Sequence, residues 1–194
     1  MRTTLLRIDS SLRTEGSYSR ELGDFFIETW EKQNPSATIK QRDVSKNAVA
    51  HLNQETLACF FGKPSHTDLL RLSNELIDEL VHADDILFTV PMYNFGMPST
   101  LKAYFDLVVR VGKTYVNHKQ NIGLLKGKRA YIITSMGAEN RNEKSLVEVH
   151  LQAILSHIGI TDIHCLTIDG TADQKYAVYK TRIKKNEIIN LLNT

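Results

Sequence analysis

Cysteine is scarce in this chain: its 194 residues hold two. Cys59 and Cys165 form no CxxC and no zinc-ligand spacing, which excludes a disulfide scaffold and a zinc module and points to a reducing cytoplasm. Four prolines and ten glycines never gather into a Gly/Ser/Pro-rich linker, so one domain is expected. No apolar run approaches the ~20 residues of a membrane span, so no membrane partner is expected. Met1-Arg2-Thr3-Thr4 leads straight into a short strand-like run, and no signal peptide is expected. Charge of one sign is lacking too, with 24 Lys plus Arg against 22 Asp plus Glu and a formal net charge of +2. That balance is too even for an electrostatic nucleic-acid binder. GxGxxG and GxxxxGK(S/T) are both missing, which removes the main support for dinucleotide-fold and P-loop readings. Seven histidines show neither HExxH nor another ligand spacing, and no metal is expected.

What is present is an ordinary globular composition, 42% hydrophobic and 24% charged, arranged as alternating strand-like and helix-like segments. Thr3 to Ile8 reads as a first strand. Leu22, Phe25, Phe26, Thr29 and Trp30 recur at helical spacing over about Ser19 to Lys32, and Pro35 ends that helix. Thr38 to Asp43 alternates as a second strand, and a long loop is expected from about Val44 to Ser65. Leu69, Leu72, Leu76, Ile77 and Leu80 mark an amphipathic helix. Asp85 to Val90 is almost continuously apolar, as a central parallel strand buried on both faces requires. Pro98 stands where the next helix starts, with Leu101, Tyr104, Phe105, Val108 and Val109 as its stripe. Ala130 to Thr134 is a fourth strand. Asn142 or Ser145 caps a helix through Ile158, Asp162 to Ile168 is a fifth strand, and a basic helix from about Asp173 to Leu192 follows. Five strands in a chain this short predict a flavodoxin-like three-layer α/β sandwich with a parallel sheet in the order 2-1-3-4-5.

In such a sheet a ligand binds beyond the carboxyl ends of the strands, near the switch in strand order. Three loops fall there. Asp9 to Ser19 offers Ser10, Ser11, Ser17 and Ser19 with Gly16 before a helix, and hydroxyls with free N–H groups at a helix N-terminus hold phosphate without a lysine. The plainer role for Ser17 and Ser19 is helix capping. Pro91 to Pro98 puts Met92, Tyr93, Asn94 and Phe95 at a strand end, a stiff aromatic shelf suited to a flat heteroaromatic ring. Ser135 to Arg141 begins Ser135-Met136-Gly137-Ala138, small residues that let backbone approach a ligand closely.

The Ser10-Ser11 pair, Ser17-Tyr18-Ser19, Pro91-Met92-Tyr93-Asn94-Phe95 with Pro98 and Leu101-Lys102, and Thr134-Ser135-x-Gly137 resemble the FMN-dependent NADH-azoreductases. The Pro-Met-Tyr-Asn-Phe stretch is the specific element of the resemblance, which extends through Ile158-Gly159-Ile160-Thr161-Asp162. The resemblance implies a homodimeric quinone and azo-dye reductase with the active site at the subunit interface. It implies that Ser11, Ser17, Tyr18 and Ser19 hold the phosphate and ribityl end of FMN. Met92, Tyr93, Asn94 and Phe95, with Ser135, Met136, Gly137 and Ala138, would hold the isoalloxazine ring. NADH, or alternatively NADPH, and then a quinone or azo compound would use the one open flavin face in turn, so kinetics would be ping-pong and no side chain would act as nucleophile. Three places depart from the family. Met136 and Ala138 replace the arginine and second glycine of S-R-G-G, His157 stands where a phenylalanine enters the partner's pocket, and Asn117 stands for an aromatic over the flavin. His157 and Asn117 are therefore the substrate-pocket candidates.

Two rivals are weighed. A flavodoxin-type FMN carrier without NAD(P)H oxidase activity docks through an acidic surface, which a net charge of +2 does not favour. A hydrolase has no triad or metal cluster to support it. His150 and His157 share a helix face but fit a solvated helix better than a metal pair, and Cys165 reads as core. Lys175, Lys180, Arg182, Lys184 and Lys185 read as a solvated helix face. Asp84 and Asp85 read as the solvent-exposed start of the central strand. One small sandwich offers a shallow flavin edge, so a second copy is expected to wall it, with the Pro98–Arg110 and Ser145–His157 helices as interface candidates.

Overall fold

The most apolar segment of the chain, Asp85–Pro91 (β3), is buried along its whole length. A computed structural model describes residues 3–62, 68–117, 121–139 and 144–193. In it β3 lies at the centre of a five-stranded sheet with Thr4–Asp9 (β1), Thr38–Asp43 (β2), Arg129–Ser135 (β6) and Asp162–Ile168 (β7). The order is β2-β1-β3-β6-β7, and every pairing is parallel. Counted along the main sheet alone, this is the expected 2-1-3-4-5. The polar edge strand β2 is only partly buried, which suits a strand with one solvated side.

Helices cover both faces, as parallel crossovers demand. Leu22, Phe26 and Trp30 of Tyr18–Gln33 (α1) and Ile188 of Gln174–Leu192 (α6) pack on Leu5, Leu87 and Ile133. On the opposite face, Leu76 and Leu80 of Asp68–His82 (α3), Leu101 and Phe105 of Ser99–Val108 (α4) and Leu151 and Leu155 of Leu146–Ile158 (α5) enclose Ile86, Phe88 and Ile132. Ser145 caps α5 in a reciprocal box with Glu148, a device that satisfies two orphan donors at once. Asn142, the other expected cap, and Arg141, the expected end of the third loop, lie outside the described residues.

Three expectations are corrected. The stretch from Val44 to Ser65 is not one long loop: Gln54–Phe60 (α2) is helical, and the Asn53 side chain accepts a 2.8 Å bond from the Thr56 N–H. A small antiparallel pair, Tyr115–Val116 (β4) and Ile122–Gly123 (β5), lies outside the main sheet. It packs on the end of α5 through two glycines: a Cβ on Gly123 would sit 2.1 Å from the Gly159 nitrogen, and Gly159 ends the helix at φ +104°. Asp85 is not solvent-exposed. It is 1% exposed, held by Arg129 Nε at 2.8 Å and Nη2 at 3.0 Å and by Trp30 Nε1 at 2.9 Å. Burial of a carboxylate at a strand start is tolerable because it is paired and fully hydrogen-bonded. Cys165, expected in the core, is partly buried and packs against the core of the α3, α4 and α5 face.

Candidate active site

Beyond the carboxyl ends of β1, β3 and β6 lies a cavity of about 280 Å³. Ser11, Gly16, Ser17 and Tyr18 form one side, Pro91, Met92 and Tyr93 a second, and Ser135, Met136 and Gly137 a third. The three loops named from the sequence therefore meet.

The serine side is built on α1. Gly16 adopts φ +64°, a conformation glycine reaches without a Cβ clash, and turns the chain into the helix. Ser17 is the N-cap, yet its hydroxyl makes no capping bond. It donates instead to Ser11 Oγ at 2.9 Å and lies 3.3 Å from Ser19 Oγ. The helix thus presents first-turn N–H groups uncapped by that side chain beside a cluster of hydroxyls. An anion supplies both the missing acceptors and the charge favoured at a helix N-terminus. Ser19 is fully buried behind Ser17 and does not line the cavity.

A buried ion network fixes this turn from below. Asp9 is 0% exposed and accepts from Arg7 Nε at 3.0 Å, Gln41 at 2.6 Å and Thr89 at 2.6 Å. Arg20 binds Asp43 at 2.8 Å, donates to the Ser11 carbonyl at 2.7 Å and to Ser45 Oγ at 2.9 Å. Burial opposes ionisation of Asp43. The hydrogen bonds from Arg20, Ser45 and the Lys46 backbone, with the charge of Arg20, outweigh it and pull the carboxyl down to about 2. The serine turn is anchored by charge pairs that leave no net cation behind it.

The aromatic side is a tight hairpin turn. Tyr93 and Gly96 exchange backbone bonds of 2.9 and 3.0 Å around Asn94 (φ +48°) and Phe95 (φ +65°). Left-handed backbone is unfavourable for a bulky residue such as Phe95, and strain of this kind collects at functional sites. Tyr93 Oη accepts the Leu12 N–H at 3.3 Å and lies 3.5 Å from Ser11 Oγ, so the turn is latched to the serine loop. Asn94 lines an adjoining cleft of about 320 Å³ with Leu12, Met97 and Pro98, and Phe95 stands 75% exposed at the tip.

The third loop is held open by a neighbour the sequence did not mark. Thr171 donates its N–H and hydroxyl to the Met136 carbonyl at 3.1 and 3.0 Å, and Ala172 N–H bonds the Gly137 carbonyl at 3.1 Å. Thr171 and Ala172 also line the cavity, as does Arg13. Nothing in the composition of the 169–173 loop signals this; the carbonyl pairing across loops is visible only in three dimensions. Ala138 is exposed and lies beside the cavity without lining it. Small residues at 135–138 leave room: a Cβ on Gly137 would meet only Ala172 Cβ, at 3.8 Å.

Residues 3–187 match a family described as having a flavodoxin-like fold. The FMN-dependent NADH:quinone oxidoreductase of Nostoc punctiforme is 42% identical over 177 residues, 86% of each chain. That of Hydrogenovibrio crunogenus is 37% identical over 188 residues, 92% of this chain and 93% of the relative. The chain belongs to this family of oxidoreductases. In fold it is similar to a Bacillus anthracis azoreductase (TM-score 0.88, 19% identity, 98% and 99% of the two chains). It is also similar in fold to a B. anthracis FMN-dependent NADH-azoreductase in complex with FMN (TM-score 0.85, 20% identity, 98% and 100%).

Against that family background, the two substrate-pocket candidates sit apart from the cavity of their own chain. His157 is partly buried near the end of α5 and packs on the Tyr115 ring, with centroids 4.4 Å apart. Asn117 is exposed just after β4. Among the described residues no group of three or more His, Cys, Asp or Glu could hold a metal ion, and no helix is long and apolar enough to cross a membrane.

Proposed function

We propose that this protein is an FMN-dependent NADH:quinone oxidoreductase that also reduces azo compounds, and that it works in the cytoplasm as a homodimer. One observation carries the reading: an uncapped helix N-terminus with the Ser11 and Ser17 hydroxyls opens into the same cavity as Met92 and Tyr93 at the base of the strained turn, in a chain 42% identical to an enzyme of that name. The donor set fits FMN, whose phosphate suits the serine cradle and whose ring suits the flat Met92–Phe95 and Ser135–Ala138 walls. When bound, FMN supplies the two-electron chemistry that moves a hydride from reduced nicotinamide to the acceptor.

The residues of the chain position and shield. Ser11 and Ser17, with the first-turn N–H groups of Tyr18 and Ser19, would fix the phosphate end, and the buried Ser19 hydroxyl would steady that of Ser17 from behind. Backbone N–H groups of the Asn94 and Gly137 loops orient the ring and favour negative charge on it. Met92 and Tyr93 exclude water from its edge. No side-chain nucleophile or general base is required.

The second subunit supplies the missing wall. Leu146 and Val149 on α5 are exposed at 59% and 52%, an apolar face that a second copy covers. His157, at the far end of that helix, then reaches the neighbouring site, and Asn117 flanks it.

The test is optical. The purified protein should be yellow and bleach when NADH is added without oxygen, with NADPH run in parallel; quinone or an azo dye should restore the colour. A colourless protein that cannot be reconstituted with FMN overturns the proposal. Bound FMN that NADH and NADPH both leave unbleached marks an electron carrier instead. Sedimentation as a monomer at assay concentration removes the shared site.

A further inference from the structure

We propose that Arg13 selects phosphorylated flavin: its guanidinium closes on the phosphate held in the serine cradle and makes the site prefer FMN to riboflavin. This rests on the FMN reading above. The cradle itself is neutral, made of hydroxyls and backbone N–H groups, whereas a phosphate monoester carries between about one and a half and two negative charges at neutral pH. Two cations lie under the cradle, but both are spent. Arg7 pairs with Asp9 and Asp24, and Arg20 with Asp9 and Asp43. Arg13 differs from both. Among the described residues that line the cavity it alone bears a formal charge, and its guanidinium has no carboxylate or hydrogen-bond partner among them or the other described residues.

Its backbone is nevertheless fixed to the site. The Arg13 N–H donates to Ser11 Oγ at 3.3 Å, the same oxygen that accepts from Ser17. The long side chain therefore starts beside the hydroxyl cluster and is exposed, free to turn onto a ligand there. Glu15, the carboxylate of the same turn, does not line the cavity. Guanidinium matches phosphate oxygens in a two-pronged, charge-assisted geometry that neither serine nor backbone offers.

The experiment compares dissociation constants of FMN and riboflavin for the full-length chain, by flavin fluorescence, in wild type, Arg13→Gln and Arg13→Lys at low and high salt. Arg13→Gln should weaken FMN about tenfold and leave riboflavin within about twofold, while Arg13→Lys, which keeps the charge but not the two-pronged geometry, should bind FMN with an affinity between those of wild type and Arg13→Gln. Salt should weaken FMN binding to wild type more than to Arg13→Gln. The thermal midpoint of the flavin-free chain should not move, because the residue is exposed. FMN affinity unchanged in Arg13→Gln overturns the proposal, as does equal loss of both flavins, which means damage to the turn. A wild-type chain that binds neither flavin overturns the FMN reading itself, a result distinct from FMN binding that ignores Arg13.

Discussion

The two ends of the parallel sheet treat polar groups in opposite ways. At the amino end, charged groups are matched: Asp85 is clasped by Arg129 and Trp30, and His164 stacks on Tyr131 and reaches Asp162 at 3.0 Å. A cavity of about 250 Å³ indents that end, yet the charges lining it already have partners. At the carboxyl end the Ser17 hydroxyl leaves its helix uncapped, Arg13 has no partner among the described residues, and Phe95 is held in a left-handed turn. The same strands thus end in a closed seal on one side and in unmet hydrogen-bonding capacity on the other. Unmet capacity costs stability, so its concentration around one cavity marks where a ligand belongs.

The comparison breaks most visibly at the seal. Asp85→Ala strands the buried Trp30 N–H and unpairs Arg129, whose half-exposed side chain keeps water, and should lower unfolding free energy by about 3 kcal/mol, read from urea midpoints. FMN affinity of the folded fraction should hardly change. A loss under about 1 kcal/mol would make the clasp no stronger than a surface ion pair.

A smaller effect separates the ends by pH. Asp43, at the carboxyl end of β2, is held at about 2, below its ordinary 3.8. A carboxyl depressed in the folded state contributes fully above pH 4 and loses that contribution as pH falls towards 2. The amount is on the order of 2 kcal/mol. Urea midpoints should therefore drop between pH 4 and pH 2 in wild type, and Asp43→Asn should flatten that part of the profile. Parallel profiles for the two proteins would remove Arg20–Asp43 as the anchor of the serine turn.

The smallest change tests strain. Phe95→Gly relieves the left-handed backbone and should raise stability by about 1 kcal/mol, measured as a higher thermal midpoint, while quinone turnover falls. Lower stability would show that the phenyl ring contributes more than its backbone costs.

Much of this contrast was legible in the sequence, because strand burial and loop composition are local signals. The unbroken apolar run of β3, the alternation of β2 and the proline-flanked Met92–Phe95 stretch each carry their meaning within a few residues. What escaped depends on partners far along the chain. Asp85 looks like its exposed neighbour Asp84 until Trp30 and Arg129 are brought to it from 55 and 44 positions away. Thr171 and Ala172 enter the site only through carbonyls of another loop. Helix α2, at seven residues, is too short for its periodicity to stand out, and the two-residue strands β4 and β5 have no period at all. Ser19 joins the hydroxyl cluster through its 3.3 Å approach to Ser17, but its complete burial has no trace in composition.

Trp30 is the sole tryptophan of the chain, and its indole N–H is tied to Asp85 at the end of the sheet opposite the candidate cavity. With FMN bound there as proposed, the molecule carries two optical labels at its two poles. Ultraviolet emission belongs to a single buried indole at the sealed end, and visible emission to flavin at the open end. Unfolding of the seal should redden the first colour, and release of the ligand should brighten the second. Recording both in one cuvette gives each end its own clock, so the order in which the two ends come apart can be read directly.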